Sequence, residues 1–273
     1  VARADRPLDE KRKGKLAFSC NIPQAHIISA PDVESIYDVP INFEKEGLSD
    51  LMCELLSVKC RKPDSPRYLE WKKFVSNVRN SKEEVHIAVI GKYFDTGDFV
   101  LSDAYISVIE AVKYSAYALK KKPVLTWFNA LDFEKDPKKV KSLSKFDGIL
   151  VPGGFGARGI EGKLNVIKFA RENKIPYFGL CYGMQLLVIE FARNVAGFKG
   201  AHSREVDPKS PHLVIDVMES QKDIIDGKNK KYGGTMRLGA YPCVLKDGTH
   251  ARNAYGAGKI SERHRHRYEV NQE

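Results

Sequence analysis

The second half of the chain alternates short apolar runs with amphipathic segments. Residues 85–90 form a β-branched run ending at Gly91, and they predict a strand. A helix is predicted to begin at an N-cap, Ser102, because apolar residues recur after it every three or four positions. Further strands are predicted at 124–128, 148–151 and 176–180, and further helices at 159–173 and 184–191. This alternation predicts an α/β domain, a mostly parallel sheet with helices on both faces and ligands at the carboxyl ends of its strands.

The first 84 residues are less regular. Residues 15–20 and 26–28 predict brief strands, and residues 48–56 predict a short helix. Because residues 1–57 are too few to bury their own core, we expect them to be the end of a domain that begins earlier. Residues 58–84 are rich in charge and predict a linker with one amphipathic helix starting at Ser65-Pro66. Its packing residues are predicted to be Trp71, Phe74, Val75 and Val78. Residues 85–273 then form the second domain.

Composition and charge limit the classes of function. The chain is 42% apolar and 29% charged, which is typical of a protein with a packed core. Its 45 Lys and Arg exceed its 35 Asp and Glu, and the net charge of +10 favours anionic partners. The basic runs are short and scattered, which favours solvated faces and nucleotide substrates over a nucleic-acid surface. No apolar stretch is long enough to span a membrane, and the first residues lack the pattern of a signal peptide.

Cysteine usage indicates a reducing compartment. The five cysteines are Cys20, Cys53, Cys60, Cys181 and Cys243. Their number is odd and none stand in C-x-x-C spacing, so neither a zinc site nor a disulfide framework is predicted. Free thiols are typical of the cytoplasm.

A glycine-rich turn follows the predicted strand at 148–151. The sequence VPGGFGARG contains Gly154, Gly156 and Gly159 in G-x-G-x-x-G spacing, so we consider a dinucleotide site. However, no acidic residue ends the next strand, and the motif comes late in the sheet. A P-loop is excluded because Gly162-Lys163 is followed by leucine. A turn with exposed backbone N–H groups remains, suited to a carboxylate, a phosphate or an oxyanion.

The next strand ends in a candidate nucleophile. Residues 179–183 read Gly-Leu-Cys-Tyr-Gly, the cysteine version of the G-x-S-x-G elbow. The flanking glycines permit a tight, strained turn from strand to helix. A thiol at a helix N-terminus is expected to have a lowered pKa. The alternative, a small cysteine buried in a sheet, does not explain the paired glycines, so we predict that Cys181 is a nucleophile.

Such a nucleophile needs an oxyanion hole and a general base. The turn at Gly153-Gly154 can supply N–H donors. The base is harder to find, because His202 and His212 have no acidic partner at a recognisable spacing and His86 begins an apolar strand, which favours a structural role. If residues 261–271 are extended, alternate side chains share a face. One face then carries His264 and His266, and the other carries three arginines that would hold a carboxylate or phosphate, Arg263, Arg265 and Arg267. The alternative is a solvated charged strand, which three arginines on one face disfavour.

Several motifs carry a family resemblance. The strings GLCYGMQL and VPGGFGARG resemble class I glutamine amidotransferases of the Cys-His-Glu type. The strings PDVESIYDVP, AHSREV, GGTMRLGAYPCVL and ERHRHRYEVN resemble the CTP synthase family, and together they run from residue 31 to residue 271. The resemblance implies a flavodoxin-like amidotransferase domain over 85–273. It also implies that residues 1–57 end a second α/β domain, the nucleotide-binding synthetase domain for ATP and UTP.

The resemblance implies two coupled half-reactions. The amidotransferase domain hydrolyses glutamine through a cysteine thioester, and the ammonia passes inside the protein to the synthetase domain. There ATP with Mg²⁺ phosphorylates UTP, and ammonia displaces the phosphate to give CTP. The resemblance further implies activation by GTP, inhibition by CTP, a homotetramer and no prosthetic group.

The resemblance also implies roles for matching positions. Cys181 matches the nucleophile, and Gly154 matches a backbone contact to glutamine beside the oxyanion. Glu205 matches the acid that holds the amino group of the substrate, and Arg267 lies near its carboxylate. The remaining matches are the stretch lining the glutamine site, Tyr182, Gly183, Met184 and Gln185, and two positions beside ATP, Asp32 and Val33.

Two departures leave alternatives open. The base and the acid of the family lie in an H-P-E segment, but neither His264 nor His266 is followed by Pro-Glu. We therefore expect the histidine and glutamate of the triad, the phosphate loop and the Mg²⁺ ligands to lie outside this sequence. One alternative is a binding or regulatory protein of the same fold without the base. Another is a different cysteine-elbow amidotransferase with another acceptor, which the order of the motifs disfavours.

Overall fold

In the computed structural model, the structure describes residues 1–59, 65–91, 105–154, 156–222 and 236–272. The predicted N-cap Ser102 lies outside these ranges. The chain divides into two compact units, one comprising Val1–Glu84 with Lys113–Lys122 and the other Val85–Val112 with Pro123–Glu273. Among the described residues, no helix is both long enough and apolar enough to cross a membrane.

The first unit combines a small parallel sheet with helices. Its two strands, β1 (Ala2–Ala4) and β2 (Ser29–Pro31), pair in parallel. Its helices are α1 (Glu10–Cys20), α2 (Val39–Lys45), α3 (Leu48–Leu55) and α4 (Pro66–Asn80). The helices predicted at 48–56 and after Ser65 are confirmed.

The two strands predicted near the start of the chain are wrong. Residues 15–20 are the second half of α1, which begins where the Asp9 carboxylate accepts a hydrogen bond from the Arg12 N–H at 2.7 Å. Only Ala17 of this helix is buried, and Phe18 is 91% exposed. Buried apolar residues therefore do not recur at helical spacing. Residues 24–26 form a 3-10 turn, and the strand lies after it, in β2.

Helix α4 packs through its apolar side in the first unit. Phe74 and Val75 are buried and form a cluster with Ile41. The indole N–H of Trp71 donates a hydrogen bond to the carbonyl oxygen of Tyr37 at 3.1 Å. The packing role predicted for these aromatic side chains is therefore confirmed.

From Glu84 onwards the strands and helices alternate. The elements up to the elbow are β3 (Glu84–Gly91), α5 (Ile106–Ala118), β4 (Lys122–Asn129), α6 (Ala130–Lys135), β5 (Gly148–Val151), α7 (Ile160–Glu172), β6 (Tyr177–Gly179) and α8 (Tyr182–Asn194). The four strands lie in the order β4-β3-β5-β6, and β5 pairs in parallel with both β3 and β6. Each strand and helix predicted here has a counterpart in the structure.

The core shows that both faces of this sheet are covered. In β3, Ala88 and Ile90 pack with Phe133 of α6 and Val166 of α7 on one face. Val89, which lies between them in the sequence, packs on the other face with the helical residues Tyr105, Val108 and Val112. Side chains that alternate in this way are those of a strand buried on both faces. The predicted α/β fold class is confirmed.

The elements after α8 form two smaller sheets. One sheet has the order β11-β8-β7, and it is built from β7 (His202–Ser203), β8 (Leu213–Val217) and β11 (Tyr268–Val270). The other is an antiparallel ribbon of β9 (Arg237–Val244) and β10 (Lys259–His266), with helix α9 (His250–Tyr255) between its strands. Arg267 therefore lies between the ribbon and the last strand of the other sheet.

The cysteines differ from the expectation at one position. Cys53 is disulfide-bonded, so the prediction of free thiols is wrong there. Cys20, Cys181 and Cys243 are free. Cys60 lies outside the described residues.

Candidate active site

The turn between β6 and α8 places Cys181 in a strained conformation. Its backbone has φ 49° and ψ −101°, a region that L-residues rarely occupy. The Leu180 N–H donates to the Val151 carbonyl oxygen at 2.9 Å, and the Gly183 N–H donates to the Leu180 carbonyl oxygen at 2.9 Å. The tight turn predicted from the sequence is present.

The two glycines that flank this turn are required by close backbone approach. A Cβ atom on Gly179 would lie 2.5 Å from the carbonyl carbon of Gly183. A Cβ atom on Gly183 would lie 2.2 Å from the carbonyl oxygen of Val151, at the end of β5. Any side chain at either position would therefore push the first turn of α8 away from the sheet.

Cys181 opens into a cavity of about 900 Å³ in the second unit. The cavity lies where β5 and β6 end, at the carboxyl edge of the sheet, as predicted. Its lining includes the predicted residues Gly154, Cys181, Tyr182, Gln185, Glu205 and Arg267, together with Gly153, Tyr105, Met236, Arg265, His266 and Tyr268. Gly183 and Met184 do not line it, since Gly183 is buried against Val151 and Met184 is exposed.

The glycine-rich turn is held by two polar side chains of the site. The Gly156 N–H donates a hydrogen bond to Oε1 of Glu205 at 3.1 Å. The Tyr182 hydroxyl donates to the Gly156 carbonyl oxygen at 3.0 Å. A Cβ atom on Gly153 would lie 3.6 Å from Cβ of Cys181, so this part of the turn is adjacent to the nucleophile. The backbone of one residue, Gly156, thus connects the turn to the elbow helix and to the acidic side chain.

Arg267 does not share a strand face with the other two arginines, so that prediction is wrong. Its side chain is buried, and its Nη1 donates to Oε1 of Gln221 at 2.7 Å, whereas Arg263 and Arg265 are exposed. The alternation ends because β10 stops at His266 and β11 begins at Tyr268. The four consecutive residues 265–268 all line the cavity, which an extended strand would not allow.

The electrostatic environment raises the pKa of the Cys181 thiol. Burial of the thiol among the surrounding atoms is the largest cause, and the negative charge of Glu205 acts in the same direction. The Tyr182 N–H lowers the pKa, but by less. Cys181 is nevertheless exposed, because it faces the open cavity. The prediction that the helix N-terminus lowers the pKa of Cys181 is therefore wrong, because burial and the nearby carboxylate together have the larger effect.

His266 lines the same cavity, but both of its ring nitrogens are engaged. Nε2 lies 2.9 Å from Nδ1 of His264, and Nδ1 lies 3.0 Å from the Tyr268 carbonyl oxygen. Neither nitrogen can accept a proton from the thiol without breaking one of these contacts.

Several residues that line the cavity were not predicted from the sequence. Tyr105 lies in none of the quoted motifs, and its distance in sequence from the elbow hides their proximity. Met236 and Tyr268 lie inside the strings GGTMRLGAYPCVL and ERHRHRYEVN, but no role in the site was assigned to them. Membership of these two strings was the available signal, and Tyr268 also follows Arg267 directly.

Asp32 and Val33 lie in the first unit, immediately after β2. Oδ1 of Asp32 accepts a hydrogen bond from Nε of Arg3 at 3.0 Å, and its N–H donates to the Ala4 carbonyl oxygen. In the part of the chain that the structure describes, no group of three or more His, Cys, Asp or Glu is placed to hold a metal ion. No Mg²⁺ ligand is therefore assigned among the described residues.

Comparison with known proteins adds independent information. The model of the family described as glutamine amidotransferase class-I matches residues 100–273, and that described as CTP synthase N-terminus matches residues 1–58. A CTP synthase of Methanococcoides burtonii is 47% identical over 271 residues, which are 99% of this chain and 48% of that protein. A CTP synthase of Bacillus licheniformis is 45% identical over 273 residues, 100% of this chain and 48% of that protein. The chain thus spans about half the length of these relatives.

One solved structure is also similar. It is the glutaminase domain of Trypanosoma brucei CTPS with bound acivicin, which is 37% identical, with a TM-score of 0.60 and coverage of 68% of each chain.

Proposed function

This chain belongs to the CTP synthase family of class I glutamine amidotransferases, and from that premise we propose that the whole protein makes CTP from UTP, ATP and glutamine. The observation that carries the proposal is the strained Cys181 at the mouth of a cavity with Glu205 and Arg267 in its walls. A negative and a positive side chain in one cavity suit the zwitterionic end of an amino acid.

In this proposal the cavity orients glutamine for attack by the thiol. Glu205 keeps its second carboxylate oxygen for the substrate ammonium, while Oε1 remains bound to Gly156. Arg267 attracts the substrate carboxylate, and Gln221 fixes the direction of its guanidinium. With both charged ends held, the side-chain amide of glutamine extends toward Cys181. The N–H of Gly154 then faces the amide oxygen as its negative charge develops.

The chemistry proceeds by covalent catalysis. The thiol of Cys181 gives up its proton as its sulfur forms a bond to the amide carbon, and the carbonyl electrons move to oxygen. When the electrons return, the C–N bond breaks, and the nitrogen takes up a proton and leaves as ammonia. Water then attacks the thioester, and this step releases glutamate and restores the thiol. We assign no general base among the described residues, because both nitrogens of His266 are engaged. We place the histidine and glutamate of the triad outside this sequence.

The second half-reaction belongs to the synthetase domain. We propose that ATP, with Mg²⁺ held outside the described residues, phosphorylates UTP, and that Asp32 and Val33 lie beside the ATP. We further propose that GTP activates the enzyme, that CTP inhibits it, that the active form is a homotetramer, and that nucleic acid and membrane are not partners. A cytoplasmic location suits the need for a reduced thiol at Cys181. The family resemblance supports these assignments.

The proposal can be tested by measuring CTP synthesis with glutamine and, separately, with free ammonia as the nitrogen donor. The Cys181→Ala whole protein is expected to lose CTP synthesis driven by glutamine and to keep synthesis driven by ammonia, because only the first needs the thiol. Cys20→Ala is the matched control: Cys20 is also a free, exposed thiol, and both activities should remain.

Two results would contradict the proposal. Equal loss of both activities in Cys181→Ala would remove the role of this residue as the glutamine nucleophile. Release of ammonia from glutamine without any amination of UTP would indicate an amidotransferase with a different acceptor.

A further inference from the structure

We propose that His264 and His266 are positioning residues that act as a pair to hold the cavity wall at residues 267–268 against the elbow helix α8. The proposal rests on the proposed function only in that glutamine is taken as the ligand of the cavity. His264 and His266 lie two residues apart on β10, so their side chains project from the same face of the strand.

A continuous chain of polar contacts joins this pair to α8. Nδ1 of His264 lies 2.9 Å from Nε2 of His266, and Nδ1 of His266 lies 3.0 Å from the Tyr268 carbonyl oxygen. The same carbonyl oxygen accepts a hydrogen bond from Nε2 of Gln185 at 3.2 Å. Gln185 belongs to the first turn of α8, where its N–H donates to the carbonyl oxygen of Cys181 at 3.1 Å. One carbonyl group thus links the end of the ribbon to the turn that carries the nucleophile.

The chemistry of the contacts assigns the protons. A carbonyl oxygen can only accept, so Nδ1 of His266 carries a hydrogen. In the neutral ring, Nε2 of His266 is then an acceptor, and Nδ1 of His264 must be the donor. Nε2 of His264 is left without a hydrogen. The pair can take up one proton, at this nitrogen, and keep both contacts.

A second proton would break the pair. It would have to bind Nε2 of His266, and two N–H groups would then face each other across 2.9 Å. The charged groups that act on His264 are Arg237 on β9 and Glu262 on β10, and the cavity that His266 lines is also lined by Glu205, Arg265 and Arg267. Burial lowers the pKa of His264, Arg237 and His266 lower it further, and Glu262 acts in the opposite direction. The first proton that the pair takes up thus leaves the contact intact, and only a second proton, taken up in acid, breaks it.

The surroundings fix the position of the pair on the ribbon. The rings of Tyr241 and His264 meet edge-to-face with centroids 5.4 Å apart. The guanidinium of Arg237 lies 4.0 Å from the centroid of the Tyr241 ring. These contacts hold His264 on one side, while His266 faces the cavity. Loss of the pair should therefore release the segment that contains Arg267, and glutamine should bind less tightly.

Equilibrium binding tests this without interference from turnover. We would measure the Kd of glutamine by calorimetry on the whole protein carrying Cys181→Ala, at about pH 7.5 and about pH 5, the range over which histidines titrate. With native histidines, binding should weaken in acid by up to about tenfold, the equivalent of one hydrogen bond. With His264→Asn the acid effect should disappear, because the amide can donate to a neutral His266 and, after turning over, accept from a protonated one.

Two further variants complete the design. His266→Leu removes both contacts, and binding should be about tenfold weaker at both pH values. His250→Asn is the control, because His250 is exposed on α9 and does not line the cavity. In this variant the Kd of glutamine should change with pH as it does in the protein with native histidines. Each variant with Cys181 restored should retain synthesis driven by ammonia, which shows that it folds.

The possible failures are distinguishable. If the protein with native histidines binds no glutamine at either pH, the proposed function fails. If it binds glutamine but the acid effect persists in His264→Asn, or if His266→Leu binds as tightly as the native pair, the positioning role is overturned.

Discussion

Replacement of Gly183 by alanine tests the geometry of the elbow directly. In an ordinary helix this change would stabilise the protein by about 0.5–1 kcal/mol, because glycine loses more backbone entropy on folding. Here the new Cβ atom would lie 2.2 Å from the Val151 carbonyl oxygen, whereas ordinary contacts begin at 3.4 Å. The start of α8 or the end of β5 must therefore move by more than 1 Å.

The expected magnitudes follow from that displacement. Overpacking of this kind costs about 3 kcal/mol, so the net change is a loss of about 2 kcal/mol in local stability. Amide hydrogens at the start of α8 should then exchange about 30-fold faster, as read by mass spectrometry. Because misplacement of a reacting group by about 1 Å can reduce a rate about 100-fold, labelling of Cys181 by a diazo-ketone analogue of glutamine should slow by about that factor.

Gly14→Ala provides a matched control in helix α1. Its Cβ atom would lie 3.0 Å from Oε1 of Gln24, the end of a flexible side chain that can turn away. This variant should be at least as stable as the native protein, with unchanged labelling of Cys181. If Gly183→Ala exchanges and reacts like the native protein, the close approach of α8 to β5 is wrong.

Other predictions follow from single contacts. Tyr182→Phe removes the hydroxyl that holds the glycine-rich turn, and kcat/KM for glutamine should fall by up to about tenfold while ammonia-driven synthesis stays unchanged. Arg171→Met should lower the free energy of unfolding by about 3 kcal/mol in urea titrations, because Glu190, which is fully buried, loses its bidentate partner. The pKa of Asp216 is lowered, chiefly by its hydrogen bond to Arg204. This pair therefore stabilises the fold above about pH 4, and the contribution is lost as the pH falls through the lowered pKa. In the Asp216→Asn variant, the free energy of unfolding should therefore change less with pH over that acidic range.

The fold of the second unit could be predicted because its signals are local. The β-branched run in β3 and the run in β5 are buried on both faces, so they read as strands whatever their partners are. The first unit lacks such signals. Helix α1 buries only Ala17, and its capping residue Asp9 identifies a helix only when the following residues are already read as helical.

The candidate site was predictable where backbone geometry alone imposes the residue type. Gly179 and Gly183 are required by contacts shorter than any side chain allows, so the glycines in the sequence indicate the turn directly. The raised pKa of Cys181 was not predictable, because it depends on burial and on Glu205, which lies 24 positions away in the sequence. The turn at Arg267 was missed because strand alternation continues until the residue before it.

The central claim is that glutamine nitrogen passes through the Cys181 site into CTP. The most direct measurement is mass spectrometry of the CTP made by the whole protein from UTP, ATP and glutamine labelled with ¹⁵N in its side-chain amide. We expect the CTP to carry one ¹⁵N atom in its amino group, and we expect Cys181→Ala to make no labelled CTP but still to aminate UTP with free ammonia. Labelled CTP from the Cys181→Ala protein, or no amination of UTP from either nitrogen source by the native protein, would contradict the claim.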